Sequence, residues 1–277
     1  MTITTHTVGL FNKLISIDSK PLELILNKFL FQASKELGPI PKEIQEQEVL
    51  IKTKDGETLH GYFLKAKKNT NKTIIYLHGN AGNVGGWYRA GTDLQENVNA
   101  NVLVVDYRGY GKSSGKPSRE GVIKDARAMY EYLVNKKGIN GSNISIFGIS
   151  VGGAIGIELA ARLKQESKPL RSLIIQSSFT SLKDVAKNIF PYIPGFLLRS
   201  NLFNLLERIK ELSIPILISH GDKDEIIPYE QSKRLYEAAN EPKKLVILEG
   251  ATHNDTPKYY SKNKDYYREL NKLVSQE

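Results

Sequence analysis

Two kinds of hydrophobic pattern divide the chain. Between residues 48 and 64, apolar and polar positions alternate in Glu48-Val49-Leu50-Ile51-Lys52-Thr53 and Thr58-Leu59-His60-Gly61-Tyr62-Phe63-Leu64, on either side of the polar tetrad Lys54-Asp55-Gly56-Glu57. Period-two alternation around a glycine-containing turn predicts a β-hairpin. Beyond it come short continuous apolar runs: Thr73–Leu77, Val102–Asp106, Ile144–Phe147, Ser172–Gln176, Ile214–Ser219 and Leu245–Glu249. Such runs predict strands buried on both faces of a sheet. Helical segments between them predict right-handed crossovers and hence an α/β fold with a mostly parallel sheet.

Two segments break this rhythm. In the first, Leu22, Ile25, Leu26, Phe29 and Leu30 recur at helical spacing between Pro21 and Gly38-Pro39. That spacing predicts a helix with one apolar face. Residues 1–40 therefore read as an N-terminal helical extension to a domain spanning 41–277. The extension is expected to dock on the core; the alternatives are a peripheral membrane contact through residues 22–31 and a share in a lid. The second segment, about residues 178–212, is apolar, and Pro191 and Pro194 forbid one continuous helix. It is expected to form a small cap over the C-terminal strand ends, with Phe179, Phe190 and Tyr192 as candidate substrate contacts. The alternative is an ordinary crossover helix packed on the core.

Composition narrows the chemistry. A chain of 277 residues with 40% hydrophobic positions suffices for one large core. Cysteine is absent, which excludes disulfides, thiolate metal sites and a thiol nucleophile, and fits a cytoplasmic location. The formal net charge is +9, but the lysines are scattered, without the aromatic-interleaved basic stripe of a nucleic-acid binder. No run reaches the roughly 18 apolar residues that span a bilayer. The N-terminus also lacks the basic n-region of a signal peptide.

The strongest chemical signal is Phe147-Gly148-Ile149-Ser150-Val151-Gly152-Gly153. It has the Gly-x-Ser-x-Gly form of a nucleophile elbow, with a strand predicted before it and a small-residue helix, Gly153–Ala161, after it. A serine hydroxyl needs a base within reach, and the base needs an orienting acid. The acid is expected on the loop after the strand ending near Ser219, in His220-Gly221-Asp222-Lys223-Asp224-Glu225. Asp224 is preferred over Asp222 because the turn after Gly221 needs residues before a carboxylate reaches inward; Asp222 is expected to make a local turn bond. Of five histidines, only His253 lies on the loop after the last strand, where the base belongs. His78 and His220, each before a glycine at a strand end, are expected to be structural. Two backbone donors for an oxyanion are expected at Val151 and at Asn80, in His78-Gly79-Asn80-Ala81-Gly82-Asn83.

Other motifs fail on spacing. Gly109-Tyr110-Gly111-Lys112-Ser113 resembles the end of a phosphate-binding loop, but Asp106 stands where that motif needs glycine, and Ser114 breaks a dinucleotide fingerprint. No histidine–carboxylate cluster has metal-ligand spacing.

Taken together, Thr53–Gly56, Leu77–Asn83, Asp106–Ser113, Gly148–Gly153, Phe179–Ser181, His220–Pro228 and Gly250–Asp255 resemble the α/β-hydrolase-fold serine hydrolases. They are most similar to the membrane-associated α/β-hydrolase-domain proteins that include the protein depalmitoylases. The resemblance covers roughly residues 45–260. It implies an eight-stranded, mostly parallel sheet with helices on both faces. It also implies Ser150, Asp224 and His253 as the triad, and Asn80 and Val151 as the oxyanion hole. The expected activity is cleavage of a carboxylic ester or thioester through an acyl-enzyme, without cofactor or metal. Lipid-directed hydrolysis, peptidase action on the same fold and a non-catalytic binding role are the alternatives. The expected partner is a small-molecule or lipid acyl ester, not nucleic acid.

Overall fold

The computed structural model describes residues 30–181, 184, 203–260 and 263–275. Eight strands form one sheet in the order β10-β9-β8-β7-β4-β6-β3-β2. They are β2 (Glu48–Lys52), β3 (Thr58–Leu64), β4 (Thr73–Leu77), β6 (Asn101–Val105), β7 (Ile144–Ile149), β8 (Ser172–Gln176), β9 (Ile216–Gly221) and β10 (Lys243–Leu248). β2 and β3 are the antiparallel hairpin read from the alternation, and β3 pairs antiparallel with β6; every other neighbour is parallel. The eight expected strands are all present, some shifted by a residue or two at their ends. A small parallel pair, β1 (Gln32–Ala33) with β5 (Ala81–Gly82), gave no sequence signal because each strand has two residues.

The period of two divides each strand between two cores. Ile75, Leu77, Leu103, Val105, Ile146 and Ile175 face one side of the sheet. Ile74, Tyr76, Val102, Val104, Phe147 and Ile174 face the other. Helix α1 (Val84–Val98) covers the second side, α2 (Arg119–Asn135) and α3 (Val151–Gln165) the first, and α4 (Glu230–Ala238) follows β9. The C-terminal α5 (Lys264–Ser275) packs beside α1. Asn83 caps α1 by accepting the Gly85 N–H at 2.9 Å, and Ser118 caps α2.

Residues 30–40 are stitched to the body. Gln32 donates its N–H to Asn80 O at 2.9 Å, and the Asn83 side-chain amide donates to Ser34 O and Glu36 O. Leu30 and Phe31 are buried. The rest of the expected helix at 22–31, and most of the expected cap including Phe190 and Tyr192, lie outside the described residues. No helix among the described residues is long and apolar enough to cross a membrane.

Candidate active site

Parallel topology carries the end of β7 to the middle of the sheet's C-terminal edge. The next residue, Ser150, has φ 55° and ψ −119°. An L-residue pays roughly 1–3 kcal/mol for such a conformation, so the surroundings must enforce it. They do: Ser150 N–H donates to Gln176 O at 2.8 Å, and Ser150 O accepts from Ser178 Oγ at 2.8 Å. The glycines leave room for the turn. A Cβ on Gly148 would collide with Gly152 O, and one on Gly152 with Leu77 O. Val151 then begins α3, and its N–H makes no hydrogen bond among the described residues.

Asp224 lies on the loop after β9, its side chain fully buried. Its Oδ2 accepts from His253 Nδ1 at 2.7 Å and from His220 Nε2 at 3.0 Å. Its Oδ1 accepts from the N–H groups of Ile226 at 3.0 Å and Ile227 at 2.8 Å. Burial alone would raise the carboxyl's pKa, but the bonds from His220 and His253 override it and hold Asp224 well below the usual carboxylate range. Because Asp224 can only accept, the proton of a neutral His253 sits on Nδ1 and leaves Nε2 bare.

His220 is the residue that sequence reasoning undervalued. Its Nε2 faces two acceptors, Asp224 Oδ2 and Ile227 O, so it carries the proton, and its Nδ1 accepts from Ser232 Oγ at 2.7 Å. The Asp222 expectation is corrected. Its Oδ1 takes the Gly250 N–H at 2.6 Å, a bond across to the His253 loop rather than a local turn bond. With Lys223 N–H on Ala251 O at 3.0 Å, it ties the two loops together.

The third loop follows β4. Every carbonyl from residue 78 to 80 is engaged: His78 O by Tyr107 OH at 3.1 Å, Gly79 O by His78 Nδ1 at 2.8 Å, and Asn80 O by Tyr110 OH at 2.7 Å and Gln32 N–H. A trans peptide sets its C=O and N–H in opposite directions. Holding Gly79 O against His78 therefore turns the Asn80 N–H away from His78, and that N–H makes no hydrogen bond among the described residues. The stretch that imitated a phosphate loop is the buttress of this one. It supplies Tyr107 and Tyr110, and Arg108 locks it in place through Asp125 at 2.7 Å and Asp55 at 3.0 Å.

These three loops close on one cavity of about 220 Å³. Of the expected site residues, Ser150, His253, Asn80, Val151 and Phe179 line it. Leu30, Trp87, Ile149, Ile226, Ile227 and Pro257 are among the other residues of the described wall. Leu30 lies on the apolar helix face for which a lid was one alternative, while Trp87, Ile149 and Pro257 carried no functional signal in sequence. No hydrogen bond joins Ser150 to His253 among the described residues. No cluster of metal-ligating side chains is present among them either.

Comparison with known proteins agrees with this architecture. The family model of the alpha/beta hydrolase fold matches residues 72–200, and that of serine aminopeptidase S33 matches residues 197–255. The YfhR protein of Escherichia coli K12 is 33% identical over 88% of this chain and 84% of its own. The bem46 protein of Schizosaccharomyces pombe is 33% identical over 81% of this chain and 77% of its own.

The chain belongs to the α/β-hydrolase family. Among solved structures, an α/β hydrolase from Vibrio vulnificus superposes with a TM-score of 0.68 at 25% identity, covering 91% of this chain and 94% of that one. The Pyrococcus furiosus esterase Pf2001 has the same fold, with a TM-score of 0.73 at 20% identity over 89% of this chain and 97% of its own. The bem46 match agrees with the resemblance to α/β-hydrolase-domain proteins read from the motifs.

Proposed function

We propose that this α/β hydrolase cleaves carboxylic esters or thioesters by a Ser150–His253–Asp224 relay. The observation that carries the reading is one cavity holding a strained serine, a histidine with its Nδ1 committed to an ionised aspartate, and two backbone N–H groups without acceptors among the described residues. Ser150 Oγ attacks the acyl carbonyl as its proton passes to His253 Nε2. The carbonyl oxygen, now negative, takes hydrogen bonds from the N–H groups of Asn80 and Val151. The C–O or C–S bond breaks, and the leaving alcohol or thiol departs with the proton from Nε2. Water then attacks the acyl-enzyme, giving its proton to Nε2, and Ser150 Oγ recovers it as the acid leaves. Asp224 keeps the imidazole in the working tautomer and stabilises its charge.

The serine aminopeptidase model matches the stretch bearing Asp224 and His253, which raises a peptidase reading. A free amino terminus needs an anionic partner, and no carboxylate lines the cavity among its described residues. A neutral acyl group fits this wall better.

The Ser150→Ala variant is expected to lose both p-nitrophenyl ester hydrolysis and labelling by a fluorophosphonate probe. Labelling that persists unchanged in that variant would overturn the assignment.

A further inference from the structure

A second cavity, about 280 Å³, lies against α1. Tyr76, Leu94, Phe147 and Tyr260 give it an apolar lining, and Arg89 and Asp93 stand among its polar wall residues. Of the two, Asp93 has a hydrogen-bond donor and Arg89 is exposed. Asp93 Oδ2 accepts from Tyr267 OH at 2.6 Å, and the Arg89 guanidinium lies 5.2 Å from the centre of the Tyr88 ring. Most of the lining is apolar, which suits a hydrocarbon ligand.

Trp87, Ile149 and Pro257 line both this cavity and the one holding Ser150, so these three side chains are the partition between them. Trp87 is its widest panel. It is held by one hydrogen bond, Nε1–H to Ala81 O at 2.9 Å. The ring lies over Gly79, where an added Cβ would come within 3.4 Å of it, and it stacks on His78 with centroids 6.0 Å apart. Largely apolar space one side chain away from a nucleophile can take up part of a bound acyl chain.

We propose that the cavity behind Trp87 is a second subsite, which receives the far end of a straight acyl chain whose carbonyl sits at Ser150, and that Trp87 sets the chain length accepted. The inference rests on the esterase reading above and adds its substrate class: esters whose acyl chains are too long for the first cavity alone. The chain end passes the indole when Trp87 swings off Ala81 O.

Two variants and one binding measurement test it. The ratio of kcat/KM for p-nitrophenyl laurate over p-nitrophenyl butyrate is measured in the parent, Trp87→Ala and Ala90→Phe. Ala90 lines the second cavity and not the first. Opening the partition with Trp87→Ala is expected to raise the ratio by about tenfold or more, and filling the cavity with Ala90→Phe to lower it by a similar factor. Trp87 is also the only tryptophan in the chain. Its emission is expected to shift saturably when Ser150→Ala protein is titrated with dodecanoate below its micellar concentration, and to lose that response when Ala90→Phe is added. Ratios that stay at the parent value in both variants, or emission indifferent to dodecanoate, overturn the subsite. A saturable emission response in a protein that hydrolyses neither ester leaves the subsite standing and sinks the esterase reading.

Discussion

Two histidine–aspartate pairs stand at the C-terminal edge of the same sheet, both aspartates buried, yet their charge states are opposite. Asp224 collects four hydrogen bonds, two from imidazoles and two from backbone amides, and stays ionised against the pull of burial. Asp106, just past β6, has a backbone donor in Val84 N–H at 2.7 Å, while its Oδ2 has no hydrogen-bond partner among the described residues. Burial pushes its pKa up to about 8. His78 Nε2 lies 3.5 Å from Asp106 Oδ1, and burial brings the His78 pKa down to about 4. Around neutral pH, then, the closely approaching His78 and Asp106 are not an ion pair. Proximity to a histidine does not keep a buried carboxylate charged; enough donors do. The first pair is equipped to handle charge at the cavity, and the second is a neutral brace under the loop that presents Asn80.

The sharpest way to break this comparison is to remove the charge that should matter. Asp224→Asn is expected to lower kcat for ester hydrolysis by about 10⁴-fold, since the amide favours the wrong imidazole tautomer. Activity within tenfold of the parent would make the two pairs functionally alike. His78→Ala removes the donor that turns the Gly79–Asn80 peptide. If its fold is intact by thermal melting, kcat is expected to fall about 10–100-fold with KM little changed, less than or equal to the loss of one oxyanion donor. An unchanged kcat would show that Tyr110 and Gln32 alone hold the loop.

His220→Ala takes one donor from Asp224 and is expected to cost about tenfold in kcat, the size of a lost orienting contact beside a reacting group. His220→Gln, which keeps an N–H near the same place, should recover most of it. No difference between the two would argue that His220 only fills space.

The smallest effect should come from Asp106→Asn, in stability rather than rate. Between about pH 4 and 6.5 the unfolded chain carries a charged histidine and a charged aspartate, while the folded pair carries neither. Proton counts match, and the pair leaves stability level. Above pH 6.5 the unfolded pair holds no proton but folded Asp106 keeps one up to about pH 8, so stability falls with rising pH in that window. The melting temperature of the parent is expected to drop by roughly 2–4 °C for each kcal/mol lost there. Asp106→Asn should flatten the curve above pH 6.5 relative to the parent and leave the histidine's contribution, a rise between about pH 4 and 6.5. Parallel curves for the two proteins would mean Asp106 is ionised in the fold.

Much of this was legible in the residues. The hairpin and six apolar runs read as the eight strands of the sheet because side-chain periodicity is local. The elbow was legible because glycines at 148 and 152 are demanded by contacts within a few residues and by the neighbouring strand. Asp224 and His253 were legible because each follows a strand end, and a parallel sheet gathers such ends on one edge. His220 was not, because a histidine before a glycine has no signature, and its contact with Asp224 depends on how the loop closes over Ile227. Asp222 was misread for the same reason, since its partner Gly250 belongs to a different loop.

The amino-acid order alone thus determined the strands, the strained serine and the succession of Ser150, Asp224 and His253 along the strand ends, because each is written in spacings of a few residues. Tertiary structure alone decided which carboxylate keeps its charge, which carbonyls of the loop after β4 are held, and that Trp87 stands between two cavities. Those outcomes depend on donors and walls drawn from distant parts of the chain, and only the stacking order of the strands brings them together.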